Sequence, residues 1–389
     1  MSVRNAATAK HALIVIYIMS IFAGIGIGIA NPLIPLLLSR SGASGSQVGL
    51  AATLMFAGLG MAALAAGNIA DRRGPKFGIV FGIAVYSVAL ALLPSAASFG
   101  AFLTIRALEG IGLGIMIVSL EAAINLIVTF ERRGRAMGTY SLLFAVGVAL
   151  GPAIGVLFQS SKSLPFQAAA AVTAASALFM MFAFRNIVPD EKRAALHYGG
   201  LLGSIWGPVL AVLFYALIET TMLSLFPLYL TEIGLRSEQV SLLYSIYASG
   251  AVISPLIAGA CSDRFRREWV MAISGVFLIL GTVFVSLSFG IWPVGSFTAV
   301  MGLAAGAIYP IGLSMIGDRT PAQKLGAANS LFTSAYSAGS IIGPFGVGII
   351  MDAYGTQVLF APLIGVASVF LVISIVDATR AGRRTVEHA

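Results

Sequence analysis

Residues 67–76 read GNIADRRGPK, which places an aspartate, two arginines and a lysine between two long apolar runs. A related string, GACSDRFRRE, occupies residues 259–268. Both interrupt a chain that is 58% hydrophobic and only 10% charged, whereas soluble domains carry about 25% charged residues. Charged turns that recur between apolar runs indicate a protein that crosses a membrane many times.

Four long runs contain no Asp, Glu, Lys or Arg: residues 11–38, 77–100, 136–161 and 269–299. A helix needs about 20 mainly apolar residues to cross a bilayer. Barrel strands would need only about 10 and would alternate apolar with polar residues, so the runs are predicted to be helices. A large soluble protein with an apolar core is the alternative, and the length of the runs argues against it.

Charged or Pro/Gly-containing turns divide the chain into twelve predicted transmembrane helices, an all-α integral membrane fold. Their approximate bounds are 11–38, 47–70, 77–97, 100–130, 136–159, 165–185, 205–230, 238–262, 269–288, 292–316, 325–350 and 357–377. The first run exceeds the roughly 7–15 apolar residues of a cleaved signal peptide, so we interpret it as an uncleaved span.

Lysine and arginine are distributed unequally over the predicted loops. When alternate loops are counted together, 19 of the 23 fall on one side of the membrane. By the positive-inside rule this side is the cytoplasm, and both termini are predicted to lie there. The net charge of +8 is thereby explained by topology, and no nucleic-acid partner is expected.

The sequence contains few residues that could form a catalytic or metal site. The single cysteine, Cys261, excludes a disulfide framework and a multi-cysteine metal site. The three histidines, His11, His197 and His388, lie outside or at the ends of apolar segments and are interpreted as solvated bystanders. No HExxH pattern, Ser-His-Asp set or phosphate-binding loop occurs in the spans. We therefore expect no enzyme, no metal and no cofactor, and energy from gradients instead of ATP.

Sliding the chain by 192 residues against itself aligns polar and conformationally special residues. The pairs include Gly67, Asp71 and Arg72 with Gly259, Asp263 and Arg264, and Gly147, Gly151 and Pro152 with Gly339, Gly343 and Pro344. Six spans is an even number, so both halves insert the same way up, as a parallel repeat. The predicted domains are two six-helix bundles, 1–185 and 205–389 with a short C-terminal tail, joined by a cytoplasmic linker at 186–204.

Three motifs give the chain a resemblance to the major facilitator superfamily over essentially its whole length. The string at 67–76 resembles the signature of loop 2–3, through Gly67, Asp71, Arg72, Gly74 and Lys76, with Pro75 in the first basic place. Its copy retains Gly259, Asp263 and Arg264 but has Arg266 where the second glycine belongs. The string RALEGIGLG, which starts at Arg106, resembles the Arg-x3-Gly signature of span 4. Span 5 resembles the antiporter signature of proton-coupled exporters through Gly138, Gly147, Gly151, Pro152 and Gly155, with Val156 replacing its last glycine.

The resemblance implies a monomeric secondary transporter of the cell membrane, of the bacterial inner-membrane type, that moves a small organic solute by alternating access. The 12-span drug:proton antiporter-like permeases are the nearest pattern, which predicts a proton-coupled exporter. An uptake symporter or facilitator is the alternative, and a non-transporting sensor on the same scaffold is a further one. Many drug exporters of the superfamily carry an acid in span 1, and this sequence has none there.

Asp71 has two possible roles at the end of span 2. The cations of the loop alone satisfy the topology rule, to which acidic residues contribute little. A carboxylate can also hold a neighbouring cation or the positive end of an adjacent helix. By the resemblance, Asp71 with Arg72, and Asp263 with Arg264, form latches that close the cytoplasmic side.

The glycines of spans 5 and 11 are predicted to line one face of each helix. Gly147, Gly151 and Gly155 recur every four residues, and Gly343-Pro344 repeats Gly151-Pro152. Proline removes a backbone hydrogen bond and can kink a helix. Such a face suits contact between moving halves, and close packing without motion is the alternative.

Four charged residues lie inside predicted spans: Arg106, Glu109 and Glu121 in span 4, and Glu219 in span 7. A charge there is costly and therefore indicates function. Arg106 and Glu109 are candidates to carry a proton or substrate, and since they are three residues apart they can instead neutralise each other. Burial disfavours the charged form of a carboxyl group, so Glu121 and Glu219 can carry a proton or pair with a cationic substrate; a helix–helix hydrogen bond is the other interpretation. By the resemblance, spans 1, 4, 7 and 10 line the central cavity, where further candidates are Asn31, Asn125, Tyr215 and Tyr309.

Overall fold

The computed structural model describes the backbone of every residue except 1–2, 129, 157–160, 186–199, 263, 289, 322–323 and 388–389. At residues 3–8, 63–65, 67–72, 130–134, 155, 260, 325–326 and 381–387 it describes the backbone but not the side chains.

Regular structure in the described part of the chain is helical. The α-helices are α1 Val3–Ala30, α2 Leu33–Arg40, α3 Gly45–Arg73, α4 Pro75–Leu92, α5 Phe99–Ile127, α6 Phe130–Val156, α7 Leu164–Ala183, α8 Leu202–Glu232, α9 Ser237–Ser262, α10 Arg267–Leu287, α11 Ile291–Arg319, α12 Leu325–Tyr354 and α13 Phe360–Glu387. Short 3₁₀ helices cover Leu93–Ser95 and Thr356–Leu359.

Twelve helical segments of the described residues are long and apolar enough to cross a membrane. This number and the all-helical architecture confirm the predicted fold class. The first segment, Ala9–Arg40, contains both α1 and α2. The helix is interrupted at Asn31 and Pro32, where the sequence predicted a continuous span. Proline has no backbone N–H and disfavours the helical conformation of the residue before it, which accounts for the break.

The first compact unit comprises residues 1–41 and 54–193. In this unit α1 packs along α6 and α7, and α4 packs along α5 and α7. Small residues allow these close approaches. A Cβ atom at Gly24 would lie 2.3 Å from the carbonyl oxygen of Phe144, and one at Gly112 would lie 2.6 Å from that of Gly82. Membrane helices associate by such packing, because lipid provides no hydrophobic force between them.

The second compact unit comprises residues 42–53 and 194–389. Here α8 packs along α12, α9 along α11, and α10 along α11 and α13. The start of α3 belongs to this unit. The backbone N–H of Ser46 donates to the Asp352 carboxylate at 3.0 Å, and the Thr53 hydroxyl donates to the carbonyl of Ile341 at 2.7 Å. Division by contact therefore assigns residues 42–53 to the unit that holds the C-terminal half of the chain.

The pattern of helix partners repeats from one unit to the other. The pair α1–α6 corresponds to α8–α12, the pair α4–α5 to α10–α11, and the pair α4–α7 to α10–α13. A shift of 192 residues places each member of the first set on its counterpart. The internal duplication of the sequence is thus expressed as a duplicated packing scheme.

Candidate functional site around Glu219

Glu219 lies near the middle of α8, and its carboxylate receives hydrogen bonds from two tyrosines. The Tyr336 hydroxyl of α12 donates to Oε2 at 2.8 Å. Tyr215 precedes Glu219 by four residues on the same face of α8, and its hydroxyl also donates to this carboxylate. Phenols donate and an ionised carboxylate only accepts, so the arrangement suits the charged form of Glu219.

The position of this carboxylate depends on the close approach of α8 and α12. Two glycines of α12 make that approach possible. A Cβ atom at Gly339 would lie 2.1 Å from the carbonyl oxygen of Leu213, and one at Gly343 would lie 2.5 Å from that of Leu217. Small residues at these positions bring Tyr336, on the same helix, within hydrogen-bonding distance of α8.

Aromatic rings from four helices lie at or near the carboxylate. The ring centroid of Tyr336 lies 6.4 Å from that of Tyr215 and 5.5 Å from that of Tyr309 on α11, whose ring is nearly perpendicular at 86°. Tyr309 in turn lies 5.2 Å from Phe332. Tyr247 of α9 is buried and close enough to Glu219 to interact with it electrostatically. We call Tyr215, Tyr247, Tyr309 and Tyr336 the tyrosine cluster.

Glu219 has no ion-pair partner among the side chains that the structure describes, since no described Lys, Arg or His pairs with its carboxylate. Glu219, Tyr309 and Tyr336 are half-buried, so part of the site is exposed. An unbalanced carboxylate inside a membrane span is costly. The arrangement can therefore bind a proton or a positively charged group.

The predicted intramembrane ion pair of Arg106 and Glu109 forms within α5. Arg106 Nη1 donates to Glu109 Oε2, and both side chains are buried, at 5% and 0% exposure. The two residues neutralise each other, as their spacing predicts.

The structure does not bring Glu121 to this pair. Glu121 lies further along α5 and is exposed, whereas Arg106 and Glu109 are buried. Asn125, one turn later, is half-buried. Asn31 lies at the break between α1 and α2 and is also half-buried; its backbone N–H donates to the carbonyl of Ile27 at 3.0 Å.

The loop motif at 67–76 forms a single-residue turn. Helix α3 ends at Arg73, Gly74 has a φ of +78°, and α4 begins at Pro75. Glycine adopts positive φ without steric cost, and proline suits the first helical position, so the two residues specify this turn. Lys76 follows in the first turn of α4 and is half-buried.

The acidic members of both proposed latches lie outside the described features. Gly67, Asp71 and Arg72 are among the residues whose side chains the structure does not describe, and Asp263 is not described at all. Arg264 is exposed in the turn after α9. The second turn has no glycine, and Arg266 takes an extended conformation with φ of −60° before α10 begins. The latches stay a prediction.

The glycines of the antiporter-like motif lie against helices of their own unit. A Cβ atom at Gly147 would lie 2.3 Å from the carbonyl oxygen of Ile21, and one at Gly151 would lie 2.5 Å from Gly28. Gly343 has the corresponding position against α8. Apart from its own stretch of helix, nothing in the described part of the chain lies within 4 Å of a Cβ built at Gly138, and the surroundings of Gly155 are not described. Pro152 and Pro344 lie inside α6 and α12. These contacts serve packing within each unit, and a role of the same helices in rocking stays a prediction.

A buried polar network at one end of the second unit was not predicted from the sequence. Arg319, at the end of α11, donates to both carboxylate oxygens of Asp377 at 2.9 and 2.8 Å and to Glu268 at 3.0 Å. Arg380 lies over the Trp206 ring, 5.2 Å from its centroid. A cavity of about 610 Å³ adjoins these residues. Asp377, the last residue of the predicted span 357–377, is only 5% exposed.

The chain belongs to the Major Facilitator Superfamily, whose sequence profile matches residues 16–197 and 208–388. The uncharacterized MFS-type transporter YfkF of Bacillus subtilis (strain 168) is 26% identical over 362 residues, which cover 90% of this chain and 91% of that protein.

Solved transporters share the fold at low sequence identity. A bacterial homologue of the human lysosomal transporter Spinster, in an inward-facing and occupied conformation, has a TM-score of 0.81 at 16% identity and covers 97% of each chain. A mutant of the nucleoside transporter NupG has a TM-score of 0.78 at 14% identity, covering 94% of this chain and 99% of that one. The chain is thus a multi-pass membrane protein with a transporter fold.

Proposed function

We propose that this chain is a proton-coupled exporter of a small organic solute, and that Glu219 is the residue that exchanges the proton. The observation that carries the proposal is the Glu219 carboxylate in α8. It is held by the hydroxyls of Tyr215 and Tyr336 and has no basic partner among the described side chains. A carboxylate in this position can bind a proton or a cation. When the proton or cation leaves, the two tyrosine hydroxyls stabilise the negative charge by hydrogen bonds.

The surroundings of Glu219 support its assignment as the residue that exchanges the proton. The carboxylate costs free energy inside the membrane, yet the fold retains it beside four tyrosines instead of neutralising it with an arginine, as it does at Glu109. Glu121 of α5 is proposed as a second carrier, since it is exposed and makes no ion pair among the described residues. Export, rather than uptake, is proposed on the basis of the antiporter-like motif of α6.

The surrounding topology is proposed from the sequence. The excess of Lys and Arg in alternate loops puts both termini in the cytoplasm of a bacterial-type inner membrane. The two halves of the chain, 1–185 and 205–389, act as the two moving bodies of a monomer, with 186–204 as the cytoplasmic linker.

Everted membrane vesicles from cells that overproduce the chain test the function. Respiration acidifies the vesicle interior, and labelled sugars, nucleosides, organic anions and organic cations are offered outside. An exporter accumulates at least one of these solutes, and a protonophore abolishes the accumulation. Glu219→Gln is expected to lose it, because the amide cannot exchange a proton.

Glu232→Gln is the matched control, since it makes the same change at the exposed end of the same helix. Accumulation by the Glu219→Gln variant at the wild-type rate would exclude the carrier role. Extrusion of the solute from energised vesicles would reverse the direction to uptake symport, and transport that ignores the protonophore would make the chain a facilitator.

A further inference from the structure

We infer that Glu219 and the tyrosine cluster form a binding site for an organic cation, a solute with a quaternary ammonium or comparable onium group. The inference rests on the proposed function for its role in transport, but the binding site itself is tested separately. It is argued from charge, from ring geometry and from one buried hydroxyl.

The charge of the site selects the sign of the ligand. Glu219 is half-buried and has no basic partner among the described side chains, so an anionic solute would be repelled. The groups that face it are phenols: Tyr215 from its own helix, Tyr336 from α12 and Tyr247 from α9. Phenols carry no positive charge, so the described side chains leave the carboxylate without a counter-charge, which a bound cation can supply.

The rings select the chemical class of the cation. The face of an aromatic ring attracts a cation within about 6 Å of its centroid, and aromatic cages are used to recognise quaternary ammonium groups. Tyr309 and Tyr336 stand at 86° to each other with centroids 5.5 Å apart, so they form two walls of a corner. The Tyr215 ring centroid lies 6.4 Å from that of Tyr336, and both hydroxyls donate to the Glu219 carboxylate. A bulky, weakly hydrated cation fits this environment better than a small hydrated ion.

Tyr247 supplies an independent indication of a ligand. Its side chain is 4% exposed, and its hydroxyl has no hydrogen-bond partner among the described residues. A buried polar group without a partner costs free energy, and native structures contain few of them. An onium group has no hydrogen-bonding atom of its own, so a donor or acceptor elsewhere on the bound solute is needed to complete the hydrogen bonding of this hydroxyl, which lies close enough to Glu219 to interact with it electrostatically.

The experiment measures binding of tritiated tetraphenylphosphonium to the purified full-length protein in detergent, by scintillation proximity. Saturable binding is expected. Benzyltrimethylammonium should displace the probe at about thirty-fold lower concentration than its neutral isostere neopentylbenzene, since ring and carboxylate attraction both require the charge. Glu219→Gln and Tyr336→Leu should each weaken binding about ten-fold or more, whereas Tyr336→Phe, which retains the ring, should weaken it less than Tyr336→Leu.

Two matched controls lie on the same helices and outside the site. Glu232→Gln repeats the charge change on α8, and Tyr354→Leu repeats the ring removal on α12 at a side chain that is 76% exposed. Both should bind the probe with wild-type affinity. Only variants with the wild-type gel-filtration profile are compared. The competition between benzyltrimethylammonium and neopentylbenzene uses the wild-type protein, so it tests the site even if every variant fails to fold.

The inference is overturned if the wild-type protein does not bind the probe, if the neutral isostere competes as well as the cation, or if Glu219→Gln binds with unchanged affinity. These results are distinguishable from failure of the proposed function. Vesicles that accumulate a sugar or nucleoside while the purified protein ignores both cations would retain the exporter and exclude the cation site. Cation binding by the purified protein without transport in vesicles would retain the cation site and exclude the exporter.

Discussion

Arg319 is expected to be a main determinant of stability in the second unit. Its guanidinium donates two parallel hydrogen bonds to Asp377, at 2.9 and 2.8 Å, and a third to Glu268 at 3.0 Å. Arg319→Met removes all three and leaves the Asp377 carboxylate, at 5% exposure, without its partner. Breaking a buried ion pair by removing one side costs about 3–5 kcal/mol. Because the Arg319 and Glu268 side chains are 17% and 16% exposed, we expect a loss near the lower end, about 3 kcal/mol.

Arg267→Met is the matched control. Arg267 also makes a short ion pair, 2.6 Å from Asp318, but the two side chains are 32% and 58% exposed. Exposed pairs contribute about 0–1 kcal/mol, because water screens the charges and the side chains lose entropy. The two variants therefore make the same substitution at ion pairs that differ in burial.

The assay is equilibrium unfolding by dodecyl sulfate in mixed micelles, followed by tryptophan fluorescence. The double variant Arg319→Met/Asp377→Leu should be more stable than Arg319→Met alone, since it no longer buries an unpaired carboxylate. The reasoning is refuted if Arg319→Met costs no more than Arg267→Met, or if the second substitution recovers nothing.

Three further substitutions test local features. Gly147→Ala would place a Cβ 2.3 Å from a backbone oxygen of α1 and should cost about 1–3 kcal/mol in the same unfolding assay, whereas Gly138→Ala, with open space around its Cβ, should be tolerated. Gly74→Ala forces a positive φ of 78° on an alanine and should cost about 1–2 kcal/mol of stability. Gly203→Ala, inside a helix, is the control. Equal stability of the two variants would contradict the positive φ at Gly74. Asp71→Asn should slow solute accumulation in everted vesicles at unchanged membrane insertion, and wild-type transport would exclude the latch.

The outline of the fold was predictable because the bilayer imposes local rules. Twelve apolar segments, their helical form and the duplication at 192 residues can be read from the chain, since each span must satisfy its own backbone hydrogen bonds. The break at Asn31-Pro32 was missed, although Pro32 was its signal. The Arg106–Glu109 pair was predicted because its partners are three residues apart on one helix.

The candidate site was predictable only in part. Glu219 and Tyr215 share a helix face, and the cost of a charge in the membrane directed attention to them. Tyr336 and Tyr247 carry no such signal, because a tyrosine in an apolar run is ordinary. Asp377 was overlooked for a related reason, since an acid at the last position of a predicted span gives no sign of a buried partner.

By itself the sequence determined the features that depend on residues adjacent in the chain. GNIADRRGPK encodes a turn through Gly74 and Pro75. The recurrence of this string also reveals the duplication of the chain. The tertiary structure alone decided which distant side chains meet. Tyr336 reaches Glu219 across 117 positions of sequence, because glycines of α12 let two helices approach closely. Arg319 and Asp377 pair across 58 positions where the end of α11 meets α13. Contacts of this kind follow from packing in three dimensions, which no local pattern specifies.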